Sequence, residues 1–440
     1  MARRIFTQTI KILLILALLG MLLVGIVDRT PLHEQDFYID QMSKEVQAID
    51  HGKGQLKAGW IKVNLTPSES MPMAGYMPRD HFDTVHDSLY ARILVIDNGS
   101  FRAAMINVDL LIFPPLLRDK LLERVESSTF LYLSATHTHN GVGGWDSSIG
   151  GRLITGSYSE AWVDHVADRI ASSLEDVTLK DASFQYWDAD ATDLVENRVN
   201  VDSGKVDGKL RGIRVVRSDS SRAVLFTYSA HATSIQKERL ELSADYPGKV
   251  IELLEHENSF GMFMSGMVGS HRFRFTPENN YEFIDKVAPD LVARIGNGNY
   301  DSLTSAPRIR SLHEEINFNS PQLRFAKNWR VSPLAFNVMF NELKGELTYL
   351  ELGNVIFIGT PCDFSGEIAT VDSLEHYANA KGKHLIITSF NGDYVGYITY
   401  DKHYDVSTKE EITTLNWVGP HFGEYFSDMI KKLIDQSYED

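Results

Sequence analysis

The sequence predicts a single α/β domain of mixed sheets flanked by helices, preceded by an N-terminal hydrophobic anchor. Three observations carry that expectation. Apolar runs of strand length recur along the chain: Ile93–Ile96, Ala103–Val108, Phe130–Leu133, Ala223–Tyr228, Val355–Ile358 and Leu385–Thr388. Helical periodicity falls between them, with Trp162, Val163, Val166, Ile170 and Leu174 on one face and Val250, Leu253 and Leu254 on another. Such alternation covers sheets with helices. The third observation is the unbroken apolar stretch Ile12–Val27.

That stretch follows Arg3, Arg4 and Lys11, and Thr9 and Ile10 can extend it. It lacks the A-x-A-like cleavage pattern of a secretory signal and has no polar face, so it reads as an uncleaved signal anchor rather than a signal peptide or a core helix. Membrane contact is expected through residues 10–27. The basic flank would stay in the cytoplasm, putting Gln35 onward outside, on the periplasmic or extracellular side. A cleaved segment would instead give a secreted protein. Between Asp36 and Ile49 the spacing of Phe37, Ile39, Met42, Val46 and Ile49 predicts a short amphipathic helix, broken by His51-Gly52-Lys53-Gly54. The expected organisation is therefore 1–30 anchor or signal, 31–57 juxtamembrane helix and linker, and 58–440 one domain without repeats or low-complexity tracts.

Composition narrows the function. The 440 residues hold 43 Lys+Arg against 59 Asp+Glu, a net charge of −16. Leaving out the first thirty residues leaves 39 against 58, or −19. Such a surface repels phosphate backbones, which argues against nucleic acid as a partner. One cysteine, Cys362, excludes an internal disulfide, a Cys-built zinc site and an iron–sulfur cluster. With no paired base evident, it reads as a buried, inert thiol.

Chemistry-bearing residues collect at the ends of the strand-like runs. Ser134-Ala-Thr-His-Thr-His-Asn-Gly-Val-Gly-Gly-Trp145 follows Phe130–Leu133. On an extended segment His137 and His139 would project to the same side and address one metal ion, with Gly141, Gly143 and Gly144 permitting a tight turn beside it. Tyr228-Ser-Ala-His-Ala-Thr-Ser234 offers His231 as a further ligand or as a hydrogen-bonded core histidine. In Ser243-Ala-Asp-Tyr-Pro-Gly248, Asp245 reads as a helix N-cap. Ile356-Phe-Ile-Gly-Thr-Pro-Cys-Asp-Phe-Ser-Gly-Glu367 places Asp363 just beyond a strand, as a metal ligand or a cap for the following helix. Ser389-Phe-Asn-Gly-Asp-Tyr-Val-Gly-Tyr-Ile-Thr-Tyr400 turns at Asn391-Gly392, and Tyr397 emerges beyond the turn. A mixed histidine and carboxylate set favours zinc.

These strings together resemble the neutral ceramidase family, the neutral/alkaline non-lysosomal ceramidases. Ala58-Gly-Trp-Ile-Lys-Val-Asn-Leu-Thr-Pro67, Pro72-Met-Ala-Gly-Tyr76 and Val85-His-Asp-Ser-Leu-Tyr-Ala-Arg92 match the family's opening blocks. THTHNGVGG is similar to the family's THTHSGPGG, AHATS with SADYPG to its second histidine block, and YVGYIT to its tyrosine block. The order holds from Ala58 to about Phe426. The resemblance implies zinc ligands at His137, His231, Asp363 and Tyr397, with His139 beside the metal and Arg198 near the reacting amide. It implies hydrolysis of a long-chain N-acyl amide such as ceramide, releasing a fatty acid and a long-chain amine.

Three departures stand out. GTPCD supplies Asp363 where the family has Glu, and Glu367 lies close enough to substitute. Arg272 falls at the position of the family's serine, with Ser265 and Ser270 displaced from it. Many family members also carry a C-terminal β-sandwich, and this chain ends soon after Gly419-Pro420. The alternatives are an amidohydrolase barrel acting on another amide, and a membrane-tethered lipid-binding relative without catalysis. A metallo-β-lactamase-like site would need an Asp-His pair after HxH, where Asn140-Gly141 stands.

Overall fold

Three strand–helix–strand units with parallel strands organise the molecule, seen in a computed structural model that describes all residues except 1–5, 7, 10, 12–19, 21, 78, 258, 275–279 and 438–440. Strand Arg102–Val108 passes through helix Pro115–Arg124 to its parallel neighbour Thr129–Ala135. Arg222–Tyr228 passes through helix Asp245–His256 to Ser259–Ser265. Val355–Thr360 passes through helices Gly366–Val371 and Leu374–Asn379 to His384–Ser389. The first two units form opposite ends of a nine-stranded sheet. Its centre is antiparallel: Lys209–Arg217, Lys180–Asp190, Lys57–Asn64 and Tyr90–Asp97, with Asn299–Ser302 pairing off the path. The third unit ends a five-stranded sheet that begins with Ile49–Lys53, Arg308–Glu315 and Glu346–Leu352.

The two sheets pack face to face. Leu94, Met105, Phe184, Ile213 and Leu225 of the larger meet Leu350, Leu352, Val355, Phe357 and Ile386 of the smaller in one core. The Tyr132 hydroxyl bonds the Thr388 hydroxyl across the interface at 2.7 Å. Each buried large side chain contributes about 1.5–3 kcal/mol, so truncating Phe357 to Ala should cost about 3–5 kcal/mol. The outer faces are covered by helices. Helix Glu160–Glu175 starts where the Ser159 hydroxyl accepts from Trp162 N, and it buries the stripe read from the sequence. Helix Phe422–Ile434 covers the smaller sheet in the same way. The architecture is thus helices, sheet, sheet, helices, an α/β fold with open sheets rather than a barrel.

The N-terminal expectations change. Most of the apolar run lies outside the described residues, and among the described residues no helix is long and apolar enough to cross a membrane. Val24–Ile26, inside that run, form a strand antiparallel to Trp329–Val331. An anchor helix therefore cannot extend through Val27. The predicted helix from Asp36 stops at Ser43, where the Ser43 hydroxyl bonds Asp40 O and Lys44 turns extended. Ile49–Lys53 then adds to the smaller sheet beside Arg308–Glu315, so His51 and Gly52 continue a strand instead of breaking a helix. Backbone pairing at a sheet edge has overridden helical spacing. Leu32 and Val46 are buried in the core under the smaller sheet, so this segment packs with the domain.

Candidate metal centre and cleft

The three parallel units deliver their chemistry at one edge. His137 follows strand Thr129–Ala135, His231 follows Arg222–Tyr228, and Asp363 follows Val355–Thr360. All lie beyond the carboxyl ends of parallel strands, where open α/β sheets place their sites.

His137 is not on an extended segment. Its φ is 60°, a left-handed conformation costing a non-glycine residue about 1–3 kcal/mol. Its convergence with His139 therefore comes from this turn and not from strand alternation. The surroundings enforce it. The His137 ring stacks on Phe390 at 4.2 Å, and its Nδ1 lies 2.5 Å from Leu111 O. Thr138 donates to Ser243 O, and the Asn140 amide donates to Glu241 O. Gly143 is required, because a Cβ there would meet Thr155 O at 2.1 Å. His139 packs against Tyr76, ring centres 4.9 Å apart, and Arg79 donates to its carbonyl.

Asp245 is the first helical residue and not the cap, which is Ala244. Its carboxylate accepts from the backbone N–H of Ser234, Ile235 and Tyr246. It thereby ties the loop after His231 to the helix start, and burial raises its pKa to about 6.

The three imidazoles converge through their Nε2 atoms, 2.8 Å apart for His137–His231, 3.1 Å for His139–His231 and 3.4 Å for His137–His139. On His137 and His231 the other ring nitrogen faces a backbone carbonyl, Leu111 O and Val268 O, and must carry the proton. Their Nε2 lone pairs then point at each other. Acceptor facing acceptor is repulsive unless a cation lies between, and about 3.3 Å separates nitrogens in a tetrahedral zinc site with bonds near 2.05 Å. Burial pulls the His137 pKa down to about 3 and moves His139 and His231 well below the usual range, so all three are neutral at pH 7 and could serve as ligands.

Asp363 completes the set. Its Oδ1 is 3.3 Å from His137 Nε2, is buried and has no hydrogen-bond partner, while Oδ2 accepts from the Tyr394 hydroxyl at 2.7 Å. Burial pushes its pKa to about 7, with the Tyr394 bond and Arg198 pulling the other way. Asp363 does not cap the following helix, whose N-cap is Ser365. It begins a two-residue strand paired with Tyr397–Ile398, which brings Tyr397 alongside. The Tyr397 hydroxyl accepts from Arg198 at 2.8 Å, and Arg198 is held from behind by Glu411 at 3.1 Å. Burial raises the Tyr397 phenol well above its ordinary pKa. The donor set of three nitrogens and a carboxylate oxygen fits zinc.

Glu367 points elsewhere. Its carboxylate accepts from the Asn197 amide, Lys205 N and His403, and none of these belongs to the histidine cluster. Arg272 is half exposed and pairs with Glu196. Ser270 is buried, accepts from Ser365 and Glu367 N, and touches His271. Ser265 is buried without a partner for its hydroxyl. Cys362 is fully buried, and burial raises its thiol well above the usual value.

The cluster lies in the wall of a cleft of about 1800 Å³ lined by polar groups near Arg198 and Tyr397 and by apolar ones such as Trp145, Trp417, Leu334 and Val338. Sequence reasoning missed Tyr394, Tyr76 and Glu411. Tyr394 sits three residues before Tyr397 in a string already singled out, whereas nothing local marks Glu411.

Residues 59–273 match the family model described as neutral/alkaline non-lysosomal ceramidase, N-terminal. Among solved structures, neutral ceramidase from Pseudomonas aeruginosa matches with a TM-score of 0.72 and 16% identity, covering 88% of this chain and 75% of that one. A ceramidase complexed with C2 matches with the same TM-score and identity over 86% of this chain and 75% of the other. At that identity these likenesses speak for the fold. No curated protein matches the chain. The opening blocks from Gly59 onward and both histidine strings fall within the matched residues, so this part of the chain is similar to the neutral/alkaline non-lysosomal ceramidases, and the two-sheet fold is shared with the solved ceramidases.

Proposed function

We propose that the protein is a zinc-dependent hydrolase of the amide bond of ceramide or a related N-acyl lipid, releasing a fatty acid and a long-chain amine. The observation that carries this reading is the convergence of three imidazole Nε2 atoms, those of His137 and His231 left unprotonated by their backbone partners, and an unpartnered Asp363 oxygen beside Arg198 in a large, partly apolar cleft. His137, His231 and Asp363 would hold the metal with Tyr397. His139 stands close enough to join them or to hold the substrate's polar group. A zinc ion there would supply Lewis acidity towards an amide carbonyl and acidify a water molecule.

The protein's own groups supply the rest. Arg198, fixed between Tyr397 and Glu411, presents a charge to a carbonyl oxygen as it becomes negative. Tyr394 orients Asp363 through its 2.7 Å bond. The apolar walls exclude water and accept hydrocarbon chains. Asp363 is shorter than the family's glutamate by one methylene, and its position on a strand paired with Tyr397–Ile398 sets it beside His137. The N-terminal apolar run would hold the chain at a membrane, with the domain on the outer side. The test is incubation of the purified full-length protein, with and without chelator, with a panel of N-acyl lipids, reading fatty-acid release by mass spectrometry. No release from any member would overturn the reading.

A further inference from the structure

Exposed apolar side chains gather around the mouth of the cleft. Helix Pro333–Phe340 lines the cleft and also turns Leu334 and Val338, 61% and 63% exposed, to solvent. Helix Ile149–Thr155 does the same with Ile149 and Leu153, again four residues apart. The two helices touch, since a Cβ on Gly150 would strike the Phe340 ring. Immediately before Pro333, strands Arg324–Ala326 and Trp329–Val331 form a hairpin with Phe325, Lys327 and Trp329 exposed at its tip. Its outer neighbour is Val24–Ile26, and Ile26, 68% exposed, stands opposite Trp329. Ser332 joins the pieces: it caps the helix Pro333–Phe340, while its hydroxyl and N–H donate to the carbonyls of Leu22 and Leu23.

We propose that this rim is a docking surface for a lipid bilayer, seating the cleft mouth on the membrane so that hydrocarbon chains enter without crossing water. Exposed apolar side chains gathered on adjoining elements, rather than scattered singly, mark an interaction site. The occupant is argued from two features. The rim is continuous with the chain's most apolar segment, which enters the described fold at Leu22–Leu23 in the rim itself. Phe, Trp and Leu combined with Lys327 and Arg152 form an interfacial set, aromatic and aliphatic groups at the acyl boundary with cations at headgroup level. The rest of the chain is strongly acidic, so a cationic, apolar rim is the face that a lipid surface accepts. That the lipid delivered is the substrate rests on the hydrolase reading; the docking itself does not.

Cys362, the single cysteine, is fully buried, so introduced thiols can be labelled selectively. Full-length protein carrying Phe325→Cys, Leu334→Cys or Val338→Cys is labelled with an environment-sensitive dye and reconstituted with phosphatidylcholine vesicles. Ser128→Cys and Ser218→Cys, exposed at the opposite edge of the larger sheet, serve as references. The expected result is emission raised at least about twofold at the three rim positions and quenched by nitroxide-bearing lipid, with neither change at the references. Rim labels as accessible to aqueous iodide as the references would overturn the proposal. So would a blue shift without lipid quenching, which would assign the rim to a second copy of the chain. In a parallel assay, F325S/W329S should hydrolyse N-acyl lipid in vesicles about tenfold more slowly and a short, water-soluble N-acyl amide at the unaltered rate. If the unmodified protein hydrolyses neither, the hydrolase reading fails, and the label pattern alone still decides docking.

Discussion

Two polar clusters lie close together in the fold, and both combine histidine with carboxylate. The first is His137, His139, His231 and Asp363. The second is Asp207, Ser270, His271 and Glu367. In the second no buried side-chain polar atom is left without a partner. The two Asp207 oxygens take Arg211, and Ser229 adds to one of them. His271 Nε2 accepts from Asp207 N, so its Nδ1 carries the proton that faces Ser270 Oγ at 3.0 Å. A histidine in that tautomer cannot take a proton from the serine, so the pair is structural despite looking like a nucleophile and its base. In the first cluster the Nε2 acceptors of His137 and His231 face each other and one Asp363 oxygen has no partner. Buried polar groups are almost always satisfied, so the unsatisfied cluster is the one built for a ligand.

The strongest test of that contrast is removal of a histidine from the first cluster. His231→Ala or His137→Ala should take bound zinc from about one per chain to near none and abolish hydrolysis. The loss should exceed the roughly 10–100-fold typical of supporting residues around a metal. Normal metal content in both variants would break the comparison at its root.

The two carboxylates sharpen it next. Asp363→Asn should lower hydrolysis by more than about 100-fold and weaken zinc. Glu367→Gln should keep both and lower thermal stability by about 1–3 kcal/mol, the cost of disturbing a satisfied buried acceptor. The opposite ranking, measured by metal titration and thermal melts, would move the ligand to Glu367.

Arginines on the two sides should part in the same manner. Arg198→Lys should reduce kcat by about 10²–10³-fold with zinc content unchanged, as expected of a group that steadies developing charge. Arg211→Lys, at a bidentate pair with Asp207, should change unfolding and leave kcat near its original value. Equal kcat losses would erase the distinction.

The smallest effect concerns pH. Burial lowers the His271 pKa to about 4, below its ordinary 6.5, so the unfolded chain binds the extra proton first. The stabilising contribution of neutral His271 is complete above about 6.5 and is lost as pH falls towards 4. The slope is at most about 1.4 kcal/mol per pH unit. Denaturant melts of His271→Gln should show a shallower fall in stability between pH 6.5 and 4.5 than the parent protein. An unchanged slope would show that His271 titrates normally.

Much of the site was legible because each of its residues sits beside a marked local pattern: His137, His231 and Asp363 all close apolar runs that became parallel strands. The geometry joining them was not. Period-two alternation predicted why His137 and His139 would converge, and the left-handed His137 shows that a turn held by Phe390 and Leu111 does it instead. Asp245 had the spacing of a cap, yet its carboxylate reaches the loop behind His231. Glu411 supports Arg198 across more than two hundred residues of chain, and no local spacing can report such a contact.

The amino-acid sequence by itself determined the alternation of strands and helices, the acidic charge, the lone thiol and the strings that carry the histidines. These are properties of periodicity and composition, fixed within windows of ten to twenty residues. Only the tertiary structure decided that Val24–Ile26 is a strand and that Ile49–Lys53 extends a sheet, because unpaired backbone at a sheet edge is satisfied by whichever segment the fold brings there. It also decided which of Asp363 and Glu367 faces the imidazoles. The Asp363–Tyr397 strand pairing aims one carboxylate at His137, and Asn197 and His403 claim the other. Four residues separate those carboxylates in sequence, and hydrogen-bond satisfaction in the folded core tells them apart.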